Sequence, residues 1–246
     1  MVFEYIKTGW QTYKINFMSF ILAELMALII VGIFFGIGTG IIFTTMGISS
    51  FAELRSPEIT ISRIVSVFPL FMGLSVSLIF YLVAALLGAL FITGLFSMAA
   101  EALRGTTQFK TMFIAAKENG ITGMTTSILV CLTALILMFV LIGVLGVIFS
   151  VIGSVIGTVL LLLIMVFFSF SHPGIVVDKL GPIETIQRSI SITKKNYPDV
   201  FGLLVFYIGI SLGLTFVPFV GQIIIYFVLT PMFFISLVFF YKRNKI

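Results

Sequence analysis

Few side chains in this sequence carry chemistry, and the one set deepest in an apolar run is Glu24, eight residues past Asn16 and so about 12 Å along a helix. A carboxylate at that depth in a bilayer is costly and faces a bundle interior or a wet cavity. If charged, it needs a cation; otherwise it needs a neutralising environment. No Lys or Arg lies inside an apolar run, so a partner has to come from the run ends. His172, the single histidine, and Arg104 are the two candidates at a matching depth. Two readings stand for each residue. Glu24 works in a transport or binding cavity, or it only fixes helix register. His172 pairs with Glu24, or it is a helix-end residue beside Pro173.

Other chemistries find no support. The carboxylates Glu53, Glu58, Asp178, Glu184 and Asp199 are scattered, and no His, Cys and carboxylate cluster has metal-ligand spacing. No Ser-His-Asp set, phosphate-cradling loop or dinucleotide fingerprint is present, and Gly36-Ile37-Gly38 lies in an apolar run that a phosphate could not reach. Cys131 is the single cysteine, which excludes an intrachain disulfide. We therefore expect no catalytic residue, metal or cofactor, and not an enzyme. The net charge of +5 comes from Lys and Arg beside apolar runs, without interleaved surface aromatics, so nucleic acid is not an expected partner.

The elements that must position these residues follow from composition. At 60% hydrophobic and 9% charged residues, the chain cannot hide its apolar side chains as a dispersed soluble domain. It is read as a single integral membrane domain over 1–246. The first span runs from Phe17 to about Thr44, where Gly32, Gly36 and Gly40 form a small-residue ridge for close helix packing. A connection from Met46 to Arg63 follows, with Pro57 arguing against a continuous helix. Leu70 to Ala100 is uncharged and would be about 46 Å long as helix, ending near Gly105. Ile121 to Ser171 lacks any Asp, Glu, Lys or Arg and must fold into two spans, turning between Gly143 and Gly153. The fifth span starts near Val200, the turn uses Pro218 and Gly221, and the sixth ends at Tyr241.

Three amphipathic stretches precede these pairs and close on Lys-x-Asn. The first has Phe3, Ile6, Trp10 and Tyr13 opposite Glu4, Lys7, Gln11 and Lys14, and ends at Asn16. The second ends at Asn119. The third has Ile183, Ile186 and Ile190 opposite Glu184, Arg188, Ser191 and Lys195, and ends at Asn196. Asn16, Asn119 and Asn196 are thus expected at equivalent boundaries of repeat-like units of about 1–104, 105–171 and 181–242. The fold expectation is all-α: a polytopic bundle of six transmembrane helices in three hairpins, each preceded by a cytoplasmic interfacial amphipathic helix. Twelve of the fourteen Lys and Arg lie on one side, only Arg55 and Arg63 on the other, which places both termini in the cytoplasm of a cell-membrane protein.

The run His172-Pro173-Gly174-Ile175-Val176-Val177-Asp178, then Gly181-Pro182-Ile183-Glu184, Arg188-Ser189 and Lys194-Lys195-Asn196, resembles a prokaryotic group of six-span membrane proteins. That group is related to the membrane domain fused ahead of some glycerophosphodiester phosphodiesterases. The resemblance implies the fold and no activity, since the phosphodiesterase's His, Glu and Asp metal site has no counterpart here. Three functions remain open. A membrane scaffold or partner protein is the first, with the lipid bilayer and another membrane protein or lipid as partners. A transporter or lipid-handling protein with a cavity at Glu24 is the second, and a membrane-bound enzyme the third.

Overall fold

The computed structural model describes residues 2–55 and 61–245, with side chains described for 2–46 and 71–245. Among them every regular element is helical. The order is α1 (Val2–Arg55), α2 (Ile61–Ala102), α3 (Lys110–Met138), a π-helical stretch (Phe139–Val144) and α4 (Leu145–Met165). A 3-10 turn (Val166–Phe168), α5 (Ser171–Asp178), α6 (Pro182–Lys195) and α7 (Tyr197–Thr215) follow. The chain closes with α8 (Val220–Ile224), a second π-helical stretch (Ile225–Leu229) and α9 (Thr230–Asn244). Five described segments are long and apolar enough to cross a membrane: Val2–Met46, Phe71–Ala102, Lys110–Asp178, Tyr197–Thr215 and Val220–Asn244.

Two expectations about breaks are corrected. Helix α1 continues straight through Asn16 and α3 through Asn119, so neither amphipathic stretch is a separate helix. Asparagine within a long apolar helix costs only a fraction of a kcal/mol, about 0.7 at most, which continuity outweighs. Asn196 differs because Pro198 follows it, and there α6 does end. The expected connection from Met46 to Arg63 is likewise mostly helix, since α1 reaches Arg55 and α2 starts at Ile61; Pro57 lies outside the described residues.

The chain forms two compact units, one of Met1–Glu24 with Ala89–Ile246 and one of Leu25–Gly88. In the second, Tyr81 lies against Phe35 at 5.1 Å between ring centres and its hydroxyl is 3.1 Å from Thr39 Oγ1. A β-carbon on Gly38 would sit 3.0 Å from the Tyr81 ring, and one on Gly73 would meet Thr45, so these two glycines are the close contacts. A β-carbon on Gly32, Gly36 or Gly40 would meet no described atom within 4 Å beyond its own helix backbone. Within this unit the expected ridge therefore meets none of the described side chains. The reason is phase: Gly38 lies two residues off the ridge, about 200° around the helix.

In the larger unit, irregular backbone marks each change of direction. Ser150 inside α4 has φ 58 and ψ −140, and beyond it the chain returns on itself, so that β-carbons at Gly153 and Gly157 would strike the carbonyls of Leu145 and Leu141. Only glycine allows that approach. Phe219, with φ 59, marks the turn between α7 and α8. Pro231 lacks the N–H that the Phe227 carbonyl would use, and the Tyr13 hydroxyl donates to that carbonyl instead at 2.7 Å.

Candidate functional site

The side chains with chemistry gather where the α4 helix breaks before α5. Pro173 cannot donate to a preceding turn, and the backbone between Val166 and Ser171 leaves groups that ordinary helix bonds would have satisfied. Helix α6 supplies partners through a face of small hydroxyl residues. Ser189 Oγ donates to the Phe167 carbonyl at 2.6 Å and accepts from the Phe170 N–H at 2.9 Å, while Thr185 Oγ1 donates to the Ser171 carbonyl at 2.6 Å. A β-carbon on Gly174 would collide with Thr185 Oγ1, which shows how closely α5 and α6 approach. Thr193, on the same face, is buried with no hydrogen-bond partner for its hydroxyl. The residues of α6 turned inward are thus Thr185, Ser189, Ile192 and Thr193, and Ile183 points out, 65% exposed.

His172 is held by the same junction. Its Nδ1 is 3.3 Å from Thr93 Oγ1 on α2 and its Nε2 3.3 Å from Ser127 Oγ on α3, with the ring stacked on Phe96 at 5.6 Å. Thr93 gives its one hydroxyl hydrogen to the Ala89 carbonyl at 2.9 Å. Toward His172 it can therefore only accept, so Nδ1 carries the proton and Nε2 accepts from Ser127. Ser127 and His172 have the order of a nucleophile and its base, but the group behind the histidine is a hydroxyl whose hydrogen is spent. It offers no negative charge to an imidazolium, and the arrangement clips α2, α3 and α5 together rather than activating Ser127.

Glu24 takes no part in this. It is 7% exposed, and both carboxyl oxygens are buried without a hydrogen-bond partner among the described residues, so it is bonded to neither His172 nor Arg104. The pairing that depth had suggested is not formed: His172 bonds to Thr93 and Ser127 instead.

The polar ends of the helices assemble a different site. Asn16 Nδ2 donates to the Gly105 carbonyl at 3.2 Å and its Oδ1 accepts from the Thr107 N–H at 2.7 Å, pinning the loop between α2 and α3. Asn119 Oδ1 accepts from Lys179 Nζ at 3.3 Å, and Asn196 Nδ2 donates to the Ile192 carbonyl at 3.1 Å. The three asparagines thus do three different jobs. Asp178 accepts from the Tyr241 hydroxyl at 2.7 Å and from Lys245 Nζ at 2.5 Å, and Lys242 Nζ donates to the Ala100 carbonyl at 2.9 Å. Asn119, Lys179 and Lys242 border an open cleft of about 380 Å³ whose lining also holds Arg104, Glu101 and Glu118. Arg104, read from the sequence as a partner for Glu24, belongs to this cleft. Reasoning from the sequence missed Lys179, Lys242, Thr185 and Ser189; the i, i+4, i+8 spacing of Thr185, Ser189 and Thr193 was the available signal.

The model of one family, described as a domain of unknown function (DUF7847), matches residues 62–240, well over half of the chain. No curated protein and no solved structure matches it.

Proposed function

The chain belongs to the DUF7847 family, and on that premise we propose that it is an integral membrane protein serving as a scaffold or partner protein, with no catalytic step of its own. The observation that carries this reading is the sealed carboxyl of Glu24, closed off without solvent or partner where a transport pathway would need it wet. Large apolar side chains such as Ile121, Val147 and Phe216 point outward, as lipid-facing residues do. The segment Lys110–Asp178 is 69 residues long and returns at Ser150, which supports two crossings and a total of six in three hairpins. The outward isoleucines and the exposed Glu184, Lys194 and Lys195 suit α6 to lie at the cytoplasmic surface of the cell membrane, with both termini on that side. Kinship with the six-span group linked to phosphodiesterases belongs to the same proposal and rests on residues 172–196.

A second reading, lipid handling, is favoured by the cleft between Arg104, Lys179 and Lys242. Reconstitution separates the two. In proteoliposomes with fluorescent lipid and the impermeant reductant dithionite, a scaffold leaves the inner leaflet protected, and a pH-sensitive dye reports the same proton leak for wild type and Glu24→Gln. Bleaching of both leaflets, or a leak that Glu24→Gln abolishes, would overturn the scaffold reading.

A further inference from the structure

We propose that the cleft at the charged end binds the phosphodiester headgroup of a membrane lipid. The inference rests on the membrane reading above and adds a ligand to it. Three cations from separate elements converge there: Arg104 after α2, Lys179 after α5 and Lys242 near the end of α9. Lys179 ends α5 with φ 57 and ψ 33, the left-handed backbone with which helices commonly terminate. That backbone goes with an ammonium set against Asn119. Lys179 and Lys242 each spend one donor on a protein oxygen, and an ammonium has three, so both keep hydrogens for a ligand. Arg104 adds a planar guanidinium suited to phosphate oxygens.

The charge balance selects the kind of phosphate. Glu101 and Glu118 share the cleft, and Glu101 Oε2 is occupied by the hydroxyls of Thr107 at 2.5 Å and Thr111 at 2.7 Å. Three cations against two carboxylates leave one positive charge. A singly charged phosphodiester matches it, whereas a doubly charged monoester would leave a negative charge uncompensated beside Glu118. Ser97, Thr111 and Asn119 add polar groups to the wall, while Ile114, Val176 and Val177 form an apolar side, and Ile114 is half exposed, so an acyl chain can leave along α3. The volume of about 380 Å³ lies within the roughly 300–1,000 Å³ usual for small-molecule sites.

The test uses the full chain purified in detergent, with bound lipid counted by native mass spectrometry. The probes are phosphatidylglycerol, phosphatidic acid, diacylglycerol and soluble glycerophosphoglycerol. We expect phosphatidylglycerol to be retained best, phosphatidic acid less, and diacylglycerol not at all. Tight binding of the soluble diester alone would overturn the lipid origin, and preference for phosphatidic acid would overturn the charge argument. Arg104→Gln with Lys179→Gln should weaken phosphatidylglycerol retention about tenfold, and Lys194→Gln with Lys195→Gln, outside the cleft, should not. Equal losses from both pairs would overturn the site in favour of general attraction. If the cleft pair fails to fold, Glu118→Gln at an exposed position decides: stronger retention supports the site, unchanged or weaker retention overturns it. Release of the wild-type protein from membranes by alkaline carbonate would overturn the membrane reading itself; an embedded protein with indifferent retention would overturn only the cleft.

Discussion

Two sets of small residues in this chain look alike and behave in opposite ways. Gly32, Gly36 and Gly40 on α1 form the more obvious stripe, and a β-carbon on any of them would meet no described neighbour within 4 Å. Thr185, Ser189 and Thr193 on α6 are less conspicuous, yet they are fully buried, with Gly174 pressed against Thr185. Small side chains permit close approach without supplying a reason for it. On α6 the reason is the broken backbone at 166–171, whose carbonyl and N–H groups need partners that hydroxyls can provide.

The largest effect that would break this comparison is steric. Gly174→Leu should destabilise the detergent-solubilised protein by about 3 kcal/mol or prevent folding, whereas Gly36→Leu should change stability by less than about 0.5 kcal/mol. Thermal melting of both variants measures this, and equal losses would mean that the glycine ridge is packed after all. Next comes Ser189→Ala, which orphans a buried N–H and a half-buried carbonyl and should cost about 2 kcal/mol. Thr193→Val on the same face removes a hydroxyl with no partner and should be neutral or slightly stabilising. A similar loss at both positions would show that α6 is held by shape and not by hydrogen bonds.

A smaller effect is expected at the two buried ionisable residues, His172 and Glu24. His172→Phe keeps the ring on Phe96 and loses bonds to Thr93 and Ser127, for about 1–2 kcal/mol; Glu24→Gln breaks no bond. The two changes share no partner and should add within about 0.5 kcal/mol in the double variant. Coupling beyond that would restore a Glu24–His172 link. The smallest effect is at the exposed Glu4–Arg243 pair, 2.6 Å apart, where Arg243→Ala should leave melting unchanged.

Fold class was legible because composition and unbroken apolar runs constrain a chain strongly: helical segments as long as Lys110–Asp178 need no tertiary information to recognise. Helix ends were less so. Lys-x-Asn reads the same at 14–16 and 194–196, and only Pro198 makes the second a break. The site was least legible. Depth along each helix grouped Glu24 with His172 and Arg104, but depth says nothing about the azimuth at which each side chain leaves its helix. Lys179 and Lys242, more than sixty residues apart, share a cleft that only the folded chain reveals.

The most direct measurement of the six-crossing arrangement with a cytoplasmic charged end is cysteine labelling. In a Cys131→Ser background, single cysteines at Ser50, Ser150 and Asn244 are exposed on intact cells to a membrane-impermeant thiol reagent. We expect labelling at 50 and 150, and at 244 only after the membrane is permeabilised. Labelling at 244 but not at 50 on intact cells would contradict the orientation, and a position 150 reached only after permeabilisation would contradict the two crossings of Lys110–Asp178.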